Sequence, residues 1–138
     1  MEFSCPICEE NDTNYLFKKL NIIDGIYIFY TYPNVATKYH NHSEILNHFS
    51  CMLKEIDHAS IKWKWVFNSK DFKLKYATHI KTAISITRLI SEIKADLHEI
   101  IIMNPTWHIN YILKIVTPFL KKDICEKIKF KLPNKKTK

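Results

Sequence analysis

The sequence predicts an α/β fold, a single domain with a mostly parallel sheet and crossover helices. Short runs of β-branched and aromatic residues alternate along the chain with longer segments whose apolar residues recur at helical spacing. The resulting order, strand, helix, strand, helix, strand, helix, strand, is typical of parallel strands joined by right-handed crossovers. A length of 138 residues with 46% apolar residues is sufficient for one hydrophobic core.

The four predicted strands are short apolar runs bounded by turn residues. They cover residues 26–32, 61–67, 99–103 and 127–130. The first is a nearly unbroken apolar run between Gly25 and Pro33, which predicts a strand buried on both faces. In the second, two lysines alternate with aromatic rings before the run becomes fully apolar, which is typical of a strand partly exposed at one end.

The predicted helices follow from stripes of apolar residues. They cover residues 44–56 and 78–97 and a segment that starts at Ile109, followed by one more turn that Asp123 and Glu126 cap. Pro118 must end or kink the third helix, because proline lacks a backbone donor. Cys51 and Cys125 fall on apolar helical faces, so we expect small core residues there rather than nucleophiles.

The single glycine, Gly25, excludes several classes of enzyme. Phosphate-binding loops and dinucleotide fingerprints need two or three glycines, so the chain is not a P-loop NTPase, a conventional dinucleotide-binding domain or a kinase. A Gly-x-Ser-x-Gly nucleophile elbow is excluded for the same reason. Seven histidines show no metal-ligand spacing. We therefore expect a protein that is not an enzyme.

The net charge of +7 is concentrated near the C-terminus, where residues 112–138 contain nine lysines and two acidic residues. Twenty of the 21 basic residues are lysine, and Arg88 is the one arginine. Because arginine is the side chain that forks onto phosphate or guanine, nucleic acid is not the expected partner. A lysine near an anionic bilayer contributes about 1 kcal/mol, so the basic tail at 132–138 favours a membrane surface or is simply solvated.

The N-terminal segment, residues 1–23, is predicted to be an acidic extension. It has no basic start and no apolar stretch of signal-peptide length, and we expect a cytoplasmic protein, peripheral at membranes. Cys5 and Cys8 have the spacing of a zinc knuckle. His40 and His42, or Cys51, could complete a zinc site, while the alternative is a pair of reduced thiols. With zinc bound, a nucleic-acid binder is a further alternative.

Residues 99–130 resemble the core motif of the CRAL-TRIO domain. The matching features are an apolar strand, Asn104-Pro105, the aromatic Trp107, an amphipathic helix, Pro118-Phe119-Leu120 and Lys127-Ile128. The resemblance covers about residues 24–131 and is strongest to the divergent branch that includes the BCH scaffold domains. It implies a single α/β domain that is minimal and truncated, because the chain stops at Lys138 before the segment that gates the lipid pocket in most members.

The resemblance implies a non-catalytic domain that binds a lipid or docks on an anionic membrane. The residues that we expect to bind the ligand or lipid are Lys127, Trp107, Phe119, Lys121 and Lys122. The family includes a yeast phosphatidylinositol-transfer protein. Of the residues with which that protein binds the phosphoinositide head group, only the lysine carries over, at Lys127, so phosphoinositide transfer in the yeast manner is not expected. Trp107 and Phe119 are expected to bury their rings at either end of the third helix.

The alternative is a scaffold or structural protein that uses the same fold to bind another protein or a second copy of the chain. The BCH branch implies this role, and a lipid pocket without a gate exposes apolar surface that a partner would cover. The excess of lysine, isoleucine and asparagine is consistent with an AT-rich genome, such as that of a large DNA virus. The protein is then located in the virion rather than the cytoplasm.

Overall fold

A computed structural model describes residues 18–32, 42–70 and 77–131 of the chain. These residues form a five-stranded sheet in the order β1-β2-β3-β4-β5. The strands are β1 (Lys18–Ile23), β2 (Ile26–Thr31), β3 (Lys62–Asn68), β4 (Asp96–Met103) and β5 (Ile128–Lys131). β1 is antiparallel to β2, and β2, β3, β4 and β5 are parallel. The predicted α/β class with a mostly parallel sheet is confirmed.

The helices lie in the connections between the parallel strands. They are α1 (His42–Ala59), α2 (Ala77–Glu92), α3 (Trp107–Val116), a 3-10 turn (Thr117–Phe119) and α4 (Lys122–Cys125). The hydroxyl of Thr106 accepts a hydrogen bond from the backbone N–H of Ile109 and caps the start of α3. Because the parallel strands are neighbours in chain order, right-handed crossovers place the connecting helices on one face of the sheet.

The core lies between that face and the helices. The strands contribute Phe29, Trp63, Trp65, Leu97, Ile100 and Ile102, and the helices contribute Phe49, Met52, Leu53, Ile56, Ile90, Ile109 and Ile124. Trp63 is fully buried and packs edge-on against Phe29, with ring centroids 6.0 Å apart. The indole N–H of Trp65 donates a hydrogen bond of 2.7 Å to the hydroxyl of Thr31. Aromatic residues of β2 and β3 therefore form the centre of the core.

The opposite face of the sheet, here called the outer face, carries a second set of apolar side chains. They are Ile28, Tyr30, Val66, Ile101 and Met103, which are half-buried and lie outside the core cluster. The prediction that the strand at 26–32 is buried on both faces is therefore wrong. Only one of its faces is buried, because the described helices all contribute to the core on the same side of the sheet.

The boundary between α2 and β4 differs from the sequence prediction. α2 ends at Glu92, whereas Leu97 is a buried residue of β4 rather than the end of the helix. The carboxylate of Asp57 accepts hydrogen bonds from the backbone N–H groups of Lys94 (2.7 Å) and Ala95 (3.0 Å). Strand pairing and this contact together outweigh the apolar periodicity that extends beyond the helix.

β1 lies within the stretch predicted to be an N-terminal extension. It pairs with β2 through a two-residue turn in which both Asp24 (φ 54°) and Gly25 (φ 78°) have a positive φ. Such turns match the right-handed twist of the flanking strands and favour Asp-Gly. The signal was therefore in the sequence, as an Asp-Gly pair between two apolar runs.

Candidate functional site

A groove of about 530 Å³ opens at the edge of the sheet where the parallel strands begin. It is here called the amino-edge groove. Its charged walls are Lys94, Asp96, Lys121, Asp123 and Lys127, and its floor includes Trp63, Ile90, Leu97 and Ile124. The groove thus combines an apolar floor with a rim that carries three ammonium groups and two carboxylates. Its volume lies within the range of small-molecule sites.

The short helix α4 brings Lys121 and Lys127 to the same groove. The carbonyl of Lys121 accepts hydrogen bonds from the backbone N–H groups of Ile124 (3.0 Å) and Cys125 (3.1 Å). Lys127 donates its backbone N–H to the carbonyl of Ile124 and accepts from the N–H of Ile100 on β4, both at 3.0 Å. The backbones of both lysines are therefore fixed by α4 and by the start of β5.

The third wall of the groove is the segment that joins α2 to β4. Asp57, near the end of α1, holds this segment through its hydrogen bonds to Lys94 and Ala95. A carboxylate that accepts from two backbone N–H groups forms charge-assisted hydrogen bonds, which are stronger than neutral ones. Asp57 does not line the groove, but it positions residues that do.

Part of the charge at the rim is already engaged by neighbouring groups. Asp96 lies 4.0 Å from the ammonium of Lys62 in an exposed pair, and Asp123 accepts a hydrogen bond of 3.0 Å from the N–H of Ile124. Among the described residues, neither Lys121 nor Lys127 forms an ion pair. The hydroxyl of Ser91, which also lines the groove, is buried and has no hydrogen-bond partner there. The two lysines suit an anionic ligand.

The remaining residues assigned from the sequence lie elsewhere. Lys122 is exposed on α4, Trp107 is 69% exposed at the start of α3, and Phe119 is 41% exposed in the 3-10 turn. None of the three lines the amino-edge groove. The structure thus places Lys121 and Lys127 together and separates them from the two aromatic residues.

The prediction that Trp107 and Phe119 bury their rings is wrong. The buried stripe of α3 is Ile109, Ile112 and Val116. Trp107 lies on the opposite side of the helix. It precedes Ile109 by two residues and Ile112 by five, and these spacings place side chains on opposite sides of a helix. Beyond the helix it is Leu120, rather than Phe119, that packs against the core. The guanidinium of Arg88 lies over the exposed Phe119 ring, 5.2 Å from its centroid.

The prediction for the cysteines is corrected in part. Cys51 is exposed on α1, so it is not a core residue, and Cys125 is half-buried. Cys5 and Cys8 lie outside the described residues. Within the described ranges, no group of three or more histidine, cysteine or acidic residues is arranged to hold a metal ion. None of the helices in this part of the chain is both long and apolar enough to cross a membrane.

Comparison with known protein families supplies the wider context for this geometry. The chain matches the family model of the CRAL/TRIO domain over residues 24–138, whereas no curated protein matches it. The matched range includes the four parallel strands, the described helices and every residue of the amino-edge groove. Domains of this family generally bind small lipophilic ligands. The chain therefore belongs to the CRAL/TRIO domain family.

Proposed function

We propose that the protein binds a lipid with an anionic head group and catalyses no reaction on it. Family membership supports the lipophilic ligand. The observation that carries the anionic head group is that Lys121 and Lys127, neither of which forms an ion pair among the described residues, line the same groove. An ammonium group binds phosphate as a point charge and offers three hydrogen-bond donors.

The apolar part of the ligand needs a surface beyond the groove floor. Trp63, Ile90 and Leu97 are each buried and leave little apolar area to cover. The outer face offers half-buried apolar side chains outside the core, and contact with them contributes about 25 cal/mol per Å². Asp96 lines the groove and pairs with Lys62 at the start of this face, so the groove reaches the edge of the outer face.

The test is binding of a soluble short-chain phosphatidic acid, compared with the zwitterionic phosphatidylcholine of the same chain length. Native mass spectrometry and calorimetry of the full chain measure stoichiometry and affinity. We expect the double variant Lys121→Ala, Lys127→Ala to weaken phosphatidic acid binding by about tenfold or more, because each charge-assisted contact contributes about 1.5–3 kcal/mol. The matched control is Lys54→Ala, Lys122→Ala, which removes the same charge from exposed positions outside the groove.

Two results contradict the proposal. One is the absence of binding of either lipid to the unmodified protein. The other is an equal loss of affinity in the groove variant and the control, since this would show that net charge rather than the groove attracts the ligand. Circular dichroism of all variants separates loss of binding from loss of folding.

A second candidate function is protein binding, which one feature of the sheet favours. In the described part of the chain β1 is an edge strand, and its side chains Leu20, Ile22 and Ile23 are each about half exposed. Exposed edge strands bind other chains by strand addition. Light scattering on the purified protein tests this role, with Leu20→Lys as the variant that blocks the edge. Similarity to the BCH branch, a viral source and a cytoplasmic or virion location stay predictions.

A further inference from the structure

We infer that the outward side of α3 is the surface with which the protein docks on an anionic bilayer. The buried stripe of α3 consists of Ile109, Ile112 and Val116. On the opposite side of the helix, Trp107, Tyr111 and Lys114 follow one another at spacings of four and three residues. They are here called the α3 outer stripe. All three are exposed, Trp107 to 69% and Tyr111 to 48%.

The exposure of the Trp107 ring is unusual for a tryptophan. Tryptophan is highly buried on average. A single exposed apolar side chain is common on protein surfaces, whereas two large rings one helical turn apart form an exposed patch. The Trp107 ring stacks on His108, with centroids 3.8 Å apart and planes 28° apart. The hydroxyl of Thr106 caps the start of α3, directly before Trp107. The rings are therefore presented by a rigid element, which lowers the entropy cost of binding.

The charges around the stripe select the partner. Residues 100–122 contain no acidic residue, and Lys114, Lys121 and Lys122 are exposed within that range. Tryptophan and tyrosine are enriched at the membrane–water interface, and lysine extends its ammonium toward the head groups. The core of a protein–protein interface is instead depleted in lysine. Two exposed aromatic rings beside a lysine of the same stripe thus match an anionic bilayer better than a protein partner.

This inference rests on the proposed function in one respect, since a lipid ligand has to be collected from a membrane. None of the α3 outer stripe lines the amino-edge groove, so Trp107 and Tyr111 can be substituted without changing the groove lining. The two can therefore fail separately. Loss of the stripe leaves binding of a soluble short-chain lipid intact, whereas loss of Lys121 and Lys127 weakens it by about tenfold or more.

The experiment is co-sedimentation of the full chain with vesicles of phosphatidylcholine alone and of phosphatidylcholine mixed with phosphatidylserine. We expect binding to the mixed vesicles that weakens with added salt. The variant Trp107→Ala, Tyr111→Ala is expected to lower the partition coefficient by about tenfold or more, since interfacial binding scales with buried apolar area. The control Leu20→Ala, Ile22→Ala removes exposed apolar side chains at the far edge of the sheet and leaves partition within about twofold of the unmodified protein.

A second readout needs no variant. Trp63 and Trp65 are buried, so a change in tryptophan emission on adding vesicles reports mainly on Trp107. Docking through the stripe shifts this emission to shorter wavelength and makes it sensitive to a quencher attached to the lipid chain. The inference is overturned if the unmodified protein does not sediment with anionic vesicles, or if it sediments without quenching. It is also overturned if Trp107→Ala abolishes a dimer in solution while vesicle binding persists.

Discussion

The side-chain amide of Asn104 donates a hydrogen bond of 3.0 Å to the side-chain oxygen of Asn68, where β4 and β3 end. The same oxygen accepts the backbone N–H of Lys70 at 3.1 Å, and the amide nitrogen of Asn68 donates to the hydroxyl of Tyr30 at 2.8 Å. Asn68 therefore connects the carboxyl ends of β2, β3 and β4. A hydrogen-bonded network of this kind stabilises one register of the strands, because each member satisfies its neighbours.

Substitutions of Asn104 separate its hydrogen bond from its backbone conformation. Asn104 has φ 51°, in the left-handed region that glycine and asparagine tolerate and alanine does not. We expect Asn104→Gly to lower the free energy of unfolding by about 0.5–1.5 kcal/mol through loss of the hydrogen bond. Asn104→Ala should cost about 1–2 kcal/mol more. Urea denaturation measures both. If the two variants lose the same free energy of unfolding, the positive φ at position 104 does not contribute to the cost of alanine there.

Phe49 and Phe119 test the location of the core. Phe49 is 1% exposed and packs edge-on against Trp65, with ring centroids 5.8 Å apart. We expect Phe49→Ala to cost about 3–5 kcal/mol of a total stability of about 5–15 kcal/mol. Phe119 is 41% exposed, so Phe119→Ala should cost about 1 kcal/mol, of which the contact with Arg88 accounts for a part.

This expectation for Phe119 replaces the one that the sequence suggests, in which the ring is essential to the core. Thermal melting of the two variants side by side measures the difference. If Phe119→Ala melts as early as Phe49→Ala, the ring packs more tightly than the structure indicates.

The order of elements could be predicted from the sequence, and part of the site could not. Runs such as residues 26–32 identify a strand without reference to any distant residue. The exposure of Trp107 could also have been predicted, because the apolar stripe of Ile109, Ile112 and Val116 places Trp107 on the far side of the helix. The prediction that Trp107 is buried relied on the usual burial of tryptophan and ignored its position on the helix.

The amino-edge groove depends on contacts that no local pattern reveals. Asp57 and Lys94 are 37 positions apart, and nothing in the spacing of either indicates that a carboxylate on α1 binds the segment that follows α2. Lys127 was identified by resemblance, and Lys121 was among the other residues expected from the sequence to bind the ligand. Lys94 and Ser91 were missed. They come close to Lys121 and Lys127 only in the folded protein, where β3, β4 and α4 line the same groove.

The ion pairs of β3 and β4 should differ in strength. The ammonium of Lys64 lies 3.0 Å from the Glu99 carboxylate, and both side chains are about a quarter exposed, at 24% and 23%. The pair Lys62–Asp96 is 4.0 Å apart, with side chains 49% and 63% exposed. Since solvent screens exposed pairs, we expect a coupling energy of about 1 kcal/mol for the first pair and below about 0.5 kcal/mol for the second.

Double-mutant cycles on both pairs, with Lys→Met and Glu→Gln or Asp→Asn, measure these couplings by urea denaturation. The coupling of Lys64 with Glu99 should fall less in high salt than that of the exposed pair. A larger coupling for Lys62–Asp96 would show that burial does not govern the strength of these pairs.

Asp57 should control both the stability of the fold and the shape of the amino-edge groove. Its carboxylate accepts two backbone hydrogen bonds, from Lys94 at 2.7 Å and Ala95 at 3.0 Å. Asp57→Ala leaves both N–H groups to water and should cost about 1–3 kcal/mol. Asp57→Asn keeps an acceptor of the same shape without the charge and should cost less. Because Lys94 and Ala95 line the groove, Asp57→Ala should also weaken binding of short-chain phosphatidic acid.

Amide hydrogen exchange at Lys94 and Ala95 distinguishes this local effect from general destabilisation. In Asp57→Ala these two amides should lose protection. The core amides of β3 and β4 should exchange faster only to the extent that the free energy of global unfolding falls. The control is Asp24→Asn, which removes an exposed carboxylate from the β1–β2 turn and keeps a residue type that tolerates the positive φ there. If protection at Lys94 and Ala95 is unchanged in Asp57→Ala, their N–H groups are held by something other than this carboxylate, and Asp57 has no part in positioning the groove.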